Sequence, residues 1–404
     1  MKCQNCHTVV DENHLEDFEH FDLEPVPPVD WFNKCQEKAL LADMYALGIY
    51  ECPECGLIQV KKTPPKEIFY DNYIYTSSSS PDMSSNFESL VSVIGELVDL
   101  ENKDLKILDI GCNDGLLLSK FKSSRNIQLF GCDPSPVARE SCKGGYRLFS
   151  EYFPGPLTRE AGLYDVIIGT NSLAHIPNIG NCFHEIAALL SSGGMLVMEV
   201  SDFKDMSSLG AWDYIYHEHL YYYTEESLSC ILRSHGFEVL RVDKISTKGG
   251  SLRVFATKDM SVKKEKKRED GQAKEIRELR KCYETALRSY RHLSEYIEKK
   301  NVRLLGYGAC ATSSVTIAQH ALFRRVTAII DDNRDRQGLF APNSGIPIVA
   351  LESIEFNEND VVIVFAWRFI EPIRDKLKAI CSRNGWPMPL VVDAVHIGHQ
   401  FNKC

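Results

Sequence analysis

The chain has 404 residues, of which 44% are hydrophobic and 25% charged, and a formal net charge of −10. That length suits two or three domains around a sizeable core, and that charge excludes a broad nucleic-acid footprint. The start Met-Lys-Cys-Gln-Asn-Cys is polar and lacks a signal-peptide core, and no apolar run reaches the roughly 20 residues of a membrane span. The expected location is the cytoplasm, with no membrane and no nucleic acid as partner.

The first ~60 residues read as irregular, a boundary good to a few positions. They hold two Cys-x-x-Cys pairs, Cys3/Cys6 and Cys52/Cys55, and a Pro-rich acidic stretch, Glu24–Pro28. Each pair sets two thiolates in a tight turn, with Gly56 closing the second. Two such pairs supply the four ligands of tetrahedral zinc, and a site filled by protein on all four sides is structural. The alternative is reduced structural cysteines. The gap between the pairs is longer than in most zinc ribbons and reads as an insertion. His7 and Cys35 are weaker candidate ligands. The other cysteines, such as Cys112, Cys132 and Cys310, read as small buried residues, because a long chain without an export signal does not suggest a disulfide framework.

A linker, Lys61–Lys66, leads to a Tyr/Ser segment, Tyr70–Ser80. Apolar residues at helical spacing predict a helix from about Met83 to Leu100. From Lys106 strands and helices alternate: Ile107–Ile110, Leu129–Asp133, Tyr164–Gly169 and, after the turn Ser192–Gly194, Met195–Glu199. Such alternation predicts a mostly parallel sheet with helices on both faces.

The first of these strands runs into Leu108-Asp109-Ile110-Gly111-Cys112-Asn113-Asp114-Gly115. Glycines here let the backbone turn tightly and approach a ligand. Asp133 ends the next strand, where an acid can hold ribose hydroxyls. A dinucleotide site shares this logic. Asn113 in place of the third glycine, Asp109 placed to meet an amino group, and Tyr164-Asp165 before an apolar strand favour S-adenosylmethionine instead. The predicted cofactor contacts are Asp109, Gly111, Asn113, Gly115 and Asp133.

Beyond the fourth strand lies Tyr216-His217-Glu218-His219, the densest polar-aromatic cluster of the chain, followed by Tyr221, Tyr222 and Tyr223. Open α/β sheets place ligands at such strand ends, and histidine is a natural general base near neutral pH. Glu218 can polarise it and Tyr216 can donate to an oxyanion. His175, in Asn171–Pro177, is a second candidate for polar work. Metal binding by the His-x-His spacing lacks a third ligand nearby.

Residues 263–300 read as a long charged helix with an apolar stripe at Ile276, Leu279, Tyr283, Ala286, Tyr290, Leu293 and Ile297, docked on a neighbour. Its Lys-rich start reads as a solvated face. Strand signals resume at Val302–Leu305, Val326–Ile330, Val361–Phe365 and Leu390–Val392, a second, smaller α/β unit. Its loop Gly306-x-Gly308-x-x-Ala311, with Asp331 at the next strand end, reads equally as a dinucleotide fingerprint, a phosphate cradle or a plain strand-to-helix turn.

In this order, the Cys-x-x-Cys pairs, the Tyr/Ser segment, LDIGCNDG, NSLAHIP, YHEH, GGSLRVFA (Gly249–Ala256) and GYGA resemble the deoxysugar C-methyltransferase family over nearly the whole chain. The resemblance implies an N-terminal zinc-binding domain (1–66), a central Rossmann-like methyltransferase domain using S-adenosylmethionine (67–258), and a C-terminal Rossmann-like α/β domain binding the nucleotide sugar (259–404). It implies a nucleotide-linked, commonly dTDP-linked, 4-keto-deoxysugar as substrate, methylated at carbon 3. His219 takes the family's base position, beside Tyr216 and Glu218. His175 is the histidine of its NxxxH element. Tyr75 is the tyrosine of its N-terminal YxYxSS element, with Tyr73 the fallback. Family members often carry a lysine and glycine after GYGA, where this chain reads Ala309–Ser314.

The chemistry so implied is removal of the carbon-3 proton while donors stabilise the developing oxyanion, then attack of the enolate carbon on the methyl group. Rival readings are an O- or N-methyltransferase, a nucleotide-sugar-binding protein without turnover, and a nicotinamide oxidoreductase using Gly306–Ala311.

Overall fold

The computed structural model describes residues 1–11, 18–65, 76–100, 104–121, 126–142, 145–259, 261 and 273–397. Between the two cysteine pairs, where sequence suggested irregular chain, β1 (His20–Val26) and β2 (Tyr45–Glu51) pair antiparallel, and β2 pairs in turn with β3 (Ile58–Val60). Phe21, Leu23 and Val26 of β1 are buried, while Asp22 and Glu24 between them face water. This period-two pattern is a strand signal that the acidic and proline residues around it conceal.

The central sheet takes β4 (Leu105–Ile110), β5 (Ile127–Cys132), β6 (Arg147–Phe149), β7 (Tyr164–Thr170) and β8 (Leu190–Ser201), all parallel to their neighbours. The chain then places β9 (Tyr221–Tyr222) against β3, completing the N-terminal sheet as β1-β2-β3-β9. It returns as β10 (Phe237–Ile245) and β11 (Ser251–Lys258), an antiparallel pair whose second strand lies antiparallel along β8. The order is β10-β11-β8-β7-β4-β5-β6. Succession moves one way from β4 to β5 and the other way from β4 to β7, so the switch point lies where β4 and β7 adjoin. Open α/β sheets bind ligands in the crevice at that point.

Both faces of this sheet are buried. Ile107, Val166, Ile168 and Val197 pack with Phe87 and Leu90 of the helix Pro81–Leu97. The alternate residues Leu108, Ile167, Leu196 and Met198 belong to the other core, with Phe183 and Ile186 of the helix Ile179–Leu189. Strand alternation dictates this division. The glycine pair Gly193–Gly194 does not precede β8 as a separate turn but lies within it, at the register shift against β7.

The third sheet is parallel: β12 (Arg303–Tyr307), β13 (Val326–Ile330), β14 (Ile348–Val349), β15 (Asp360–Val364) and β16 (Leu390–Asp393), in the order β14-β13-β12-β15-β16. Ahead of it runs the helix Ala273–Lys300, and every residue of its apolar stripe is buried. Residues 262–272, the start expected for it, lie outside the described residues. Gln319 joins the N-terminal sheet to this half: its side chain accepts from Glu24 N at 2.9 Å, donates to Glu24 O at 2.8 Å and accepts from Tyr283 at 2.8 Å. One apolar core runs from Cys3 to Ile397 through all three sheets.

An ion pair lies inside the central sheet. Arg253 of β11 donates Nε to Glu199 of β8 at 2.6 Å, and both side chains are almost wholly buried. Asn86 of the helix Pro81–Leu97 donates to the other Glu199 oxygen at 3.0 Å and accepts from Arg253 at 2.8 Å. Removing one partner strands the other charge in the core, which costs about 3–5 kcal/mol, whereas an apolar pair of similar volume is often tolerated. Arg253→Met should therefore lower stability by that amount in urea unfolding, and Arg253→Met with Glu199→Met should recover most of the loss. A single variant as stable as the parent would show that the pair contributes nothing.

Candidate active site

At the carboxyl ends of β4, β5 and β7 lies a cavity of about 390 Å³, lined by Asp109, Gly111, Asn113, Asp133 and Ser172 among others. Gly111 and Gly115 both adopt φ +76°, where a side chain strains the backbone. A Cβ on Gly111 would collide with Ser172, whose hydroxyl donates to Ile110 O at 2.5 Å, and one on Gly115 would lie 2.7 Å from the Tyr146 hydroxyl. The glycines are thus needed for the loop's own packing as well as for its turn.

Asp109 is buried, and among the described residues its Oδ1 has no hydrogen-bond partner. Burial, then the charges of Asp133 and Glu199, push its pKa up to about 8. A buried carboxylate oxygen without a donor fits an ammonium group, which is what S-adenosylmethionine carries beside its carboxylate. Asp133 is more committed: it accepts from Asn113 N at 2.9 Å and from Ser135 N at 2.8 Å, which holds its carboxylate at the cavity wall. Asn113 accepts from Ser77 N at 2.9 Å and Asp114 from Ser78 N at 2.9 Å, so the end of the Tyr/Ser segment is fastened to the loop. Tyr73 and Tyr75 lie outside the described residues.

A second, larger cleft of about 1360 Å³ adjoins the first. Met83, Asn171, His175 and Glu218 line both. On the cleft side, the Tyr216 hydroxyl lies 3.0 Å from His219 Nε2, with ring centroids 4.2 Å apart, and the His175 ring meets His219 edge-on at 5.2 Å. Burial, then Glu218, hold the Tyr216 phenol protonated well above its ordinary range, and its oxygen shares a hydrogen bond with the imidazole. Burial, then Asp30, push Glu218 up to about 8, which keeps it a donor near neutral pH. His217 serves a different purpose. It is buried, and its Nε2 donates to Ala46 O at 2.9 Å in the N-terminal module, while burial lowers its pKa.

His175, Tyr216, Glu218 and His219, all read from sequence, thus converge at one cleft. Asp30, Asn171 and the Trp367–Phe369 loop, which also line it, were not read as site residues. Asn171 stood in a noticed motif, at φ +52°; Asp30 and Trp367 come from distant parts of the chain and carried no local signal.

In the N-terminal module the four sulfurs of Cys3, Cys6, Cys52 and Cys55 lie within 4.8 Å of one another. Cys3–Cys55 and Cys6–Cys52 are each 3.6 Å apart, too far for disulfides and close to the ~3.8 Å edge of a tetrahedron with zinc–sulfur bonds of about 2.3 Å. His7 and Cys35 are not in this group.

The second glycine loop is filled by its own domain. A Cβ on Gly306 would strike Phe365, and one on Gly308 would lie 2.6 Å from the Ala366 Cβ. Asp331 accepts from Ala309 N at 2.6 Å, and Arg336 donates to Ala309 O at 2.5 Å. Of the three readings left open by sequence, these contacts fit the strand-to-helix turn.

Residues 84–242 match the family model described as a methyltransferase domain, and residues 246–390 that described as a C-methyltransferase C-terminal domain. The chain is 26% identical over 376 residues to C-methyltransferase NovU of Streptomyces niveus, a span of 87% of this chain and 88% of that protein. Among solved structures, the magnesium protoporphyrin IX methyltransferase ChlM of Synechocystis PCC 6803 with bound SAH has a TM-score of 0.35 at 20% identity, covering 44% of this chain and 83% of that one. The N-methyltransferase NodS of Bradyrhizobium japonicum WM9 has a TM-score of 0.33 at 15% identity, covering 44% and 88%. Likenesses this weak carry nothing about substrate. Fold, cavity and domain matches define an S-adenosylmethionine-dependent methyltransferase. Within that class the chain resembles the C-methyltransferases, through its C-terminal domain match and its likeness to NovU over most of its length. Among the described residues, no helix is long and apolar enough to cross a membrane.

The raised Asp109 pKa has a measurable consequence. An ammonium partner favours the ionised carboxylate, so binding at pH 7 should release a proton, and S-adenosylhomocysteine affinity should rise from pH 6 towards pH 8 and then level. Asp109→Asn should weaken binding and remove that rise. Calorimetry in buffers of differing ionisation enthalpy reads both. No proton release in the parent protein would place the amino group elsewhere.

Proposed function

We propose that this methyltransferase acts at carbon 3 of a nucleotide-linked, dTDP-type 4-keto-deoxysugar. The observation that carries the reading is the junction of the two cavities at Met83, Asn171, His175 and Glu218, with the Tyr216–His219 pair standing on the larger side. A cofactor in the smaller cavity and an acceptor in the larger would meet beside a base. In this reading residues 1–66, 67–258 and 259–404 serve as zinc module, methyltransferase domain and nucleotide-sugar domain.

Bound S-adenosylmethionine supplies an electrophilic methyl group. Asp109 holds its amino group, Asp133 its ribose, and the Gly111–Gly115 turn with Asn113 shapes the wall between. The protein's remaining task is to make carbon 3 nucleophilic. His219 takes the proton from that carbon, activated by the neighbouring ketone, on Nδ1, while the Tyr216 oxygen accepts from Nε2–H and keeps the imidazole oriented. Glu218, protonated, donates to the enolate oxygen as its charge develops. His175 packs against His219 and fixes its ring. Tyr75 is the second candidate for moving the proton.

Proton removal and methyl transfer are separable. In deuterated water without S-adenosylmethionine, the protein should wash deuterium into carbon 3 of a dTDP-4-keto-deoxysugar. His219→Asn should lose both this exchange and methylation, by the ~10²–10⁴-fold typical of a general base, while binding S-adenosylhomocysteine normally. Exchange at the parent rate in the variant would assign the base to another residue. Transfer to oxygen or nitrogen, with no exchange at any carbon, would overturn the C-methylation reading as a whole.

The four thiolates are proposed to hold one structural zinc. Protein purified without added metal should contain one zinc per chain by elemental analysis, and Cys52→Ser should lower that content. A metal-free protein that is folded and active would refute the assignment. Because β3 and Ala46 support β9 and His217, chelation should also slow turnover by loosening the wall behind the catalytic segment.

A further inference from the structure

Three cations line the large cleft, and two are already engaged. Arg253 is bound by Glu199 and Asn86. Lys244 lies 2.9 Å from Asp202 and 3.9 Å from Asp205. Arg368 is different. Its guanidinium sits over the Tyr214 ring at 4.1 Å and near the Trp367 ring at 5.3 Å. Among the described residues it has no acidic partner within ion-pair distance, and its Nε is buried without a hydrogen bond. The buried acid its charge reaches, Asp213, accepts instead from Trp367 Nε1 at 2.9 Å. Aromatic faces hold a guanidinium in place but leave its N–H donors free.

Topology gives this side chain a second meaning. In the C-terminal sheet the strand order reverses between β12 and β15. Arg368 stands on the loop that leaves β15, at the switch point where open sheets bind ligands. The same loop opens the 15-residue helix Ile370–Asn384, no side chain caps that helix at Phe369, and Phe369 lines the cleft with Arg368. The central domain yields space here: at Gly249, φ +82°, a Cβ would fall on the Arg368 guanidinium. The whole arrangement faces the cleft that holds His219 and Tyr216.

We propose that Arg368 is the residue that grips the substrate's diphosphate, orienting the sugar towards His219. This rests on the reading of the substrate as nucleotide-linked and adds the group that recognises it. The anion is held by the loop after β15, rather than by the Gly306–Ala311 loop after β12, which Arg336 and Asp331 already fill. Arg368 is a binding and positioning residue: its fork matches two phosphate oxygens, and it takes no part in proton removal.

The test is calorimetry on the full-length protein saturated with S-adenosylhomocysteine, titrated with dTDP, UDP and GDP and with the matching nucleosides. The preferred diphosphate should bind more tightly than its nucleoside. Arg368→Gln should lose about tenfold to a hundredfold of the diphosphate affinity, the value of charge-assisted hydrogen bonds, with nucleoside and S-adenosylhomocysteine affinities unchanged. Arg368→Lys should regain part of it, a point charge replacing a fork. In turnover the loss should fall on KM with kcat little altered. Diphosphate affinity in Arg368→Gln equal to that of the parent overturns the assignment and leaves the nucleotide-linked reading intact. A parent protein that binds none of the diphosphates overturns that reading and this role with it. Diphosphate binding that depends on Arg368, in a protein that methylates no ketosugar, sustains the role and sinks the C-methylation reading.

Discussion

The buried pair of Glu199 and Arg253 is the constraint on which the central domain turns. Glu199 stands near the carboxyl end of the last parallel strand, Arg253 belongs to the reversed strand beside it, and Asn86 brings in the helix that covers the sheet. Two charges without water must satisfy each other fully, so three elements distant in sequence have one way to meet. That meeting fixes the carboxyl end of β8, from which the chain leads to the Tyr216–His219 segment. Its Arg253 and Asn86 also line the large cleft, and Glu199 adds to the field that raises the Asp109 pKa.

Much of this was readable in sequence because the physics is local. A strand ending in Gly111, an acid ending the next strand, and apolar runs in alternation suffice to predict the parallel sheet and its cofactor crevice. The helix Ala273–Lys300 announced its buried face residue by residue. The β1–β2 pairing did not, because Glu24 and the prolines after it mask an alternation that only Phe21, Leu23 and Val26 carry. β10 and β11 were not read as strands either; six of the nine residues of β10 are only partly buried, and Gly249–Ala256 appeared as a motif without a shape.

At the site, sequence supplied the residues that cluster along the chain and missed those that converge through space. Tyr216, Glu218 and His219 are neighbours in both senses. Asp30 and Arg368 reach the same cleft from distant parts of the chain, and the features noticed near them, Glu24–Pro28 and Val361–Phe365, point to no site. Their placement comes from contacts between domains: Gln319 against Glu24, Trp367 against Asp213, His217 against Ala46.

The strand β9 has a consequence for how the molecule is made. β3 is hydrogen-bonded on one side to β2 and on the other to Tyr221–Tyr222, a pairing between positions far apart in the chain that forms late. During synthesis the β1–β3 module emerges well before β9, with an open, apolar edge. Such an edge is a template for pairing with other chains. The nascent module therefore stays vulnerable to joining a neighbour until Tyr221 and Tyr222, which follow directly on the Tyr216–His219 segment, arrive to close it.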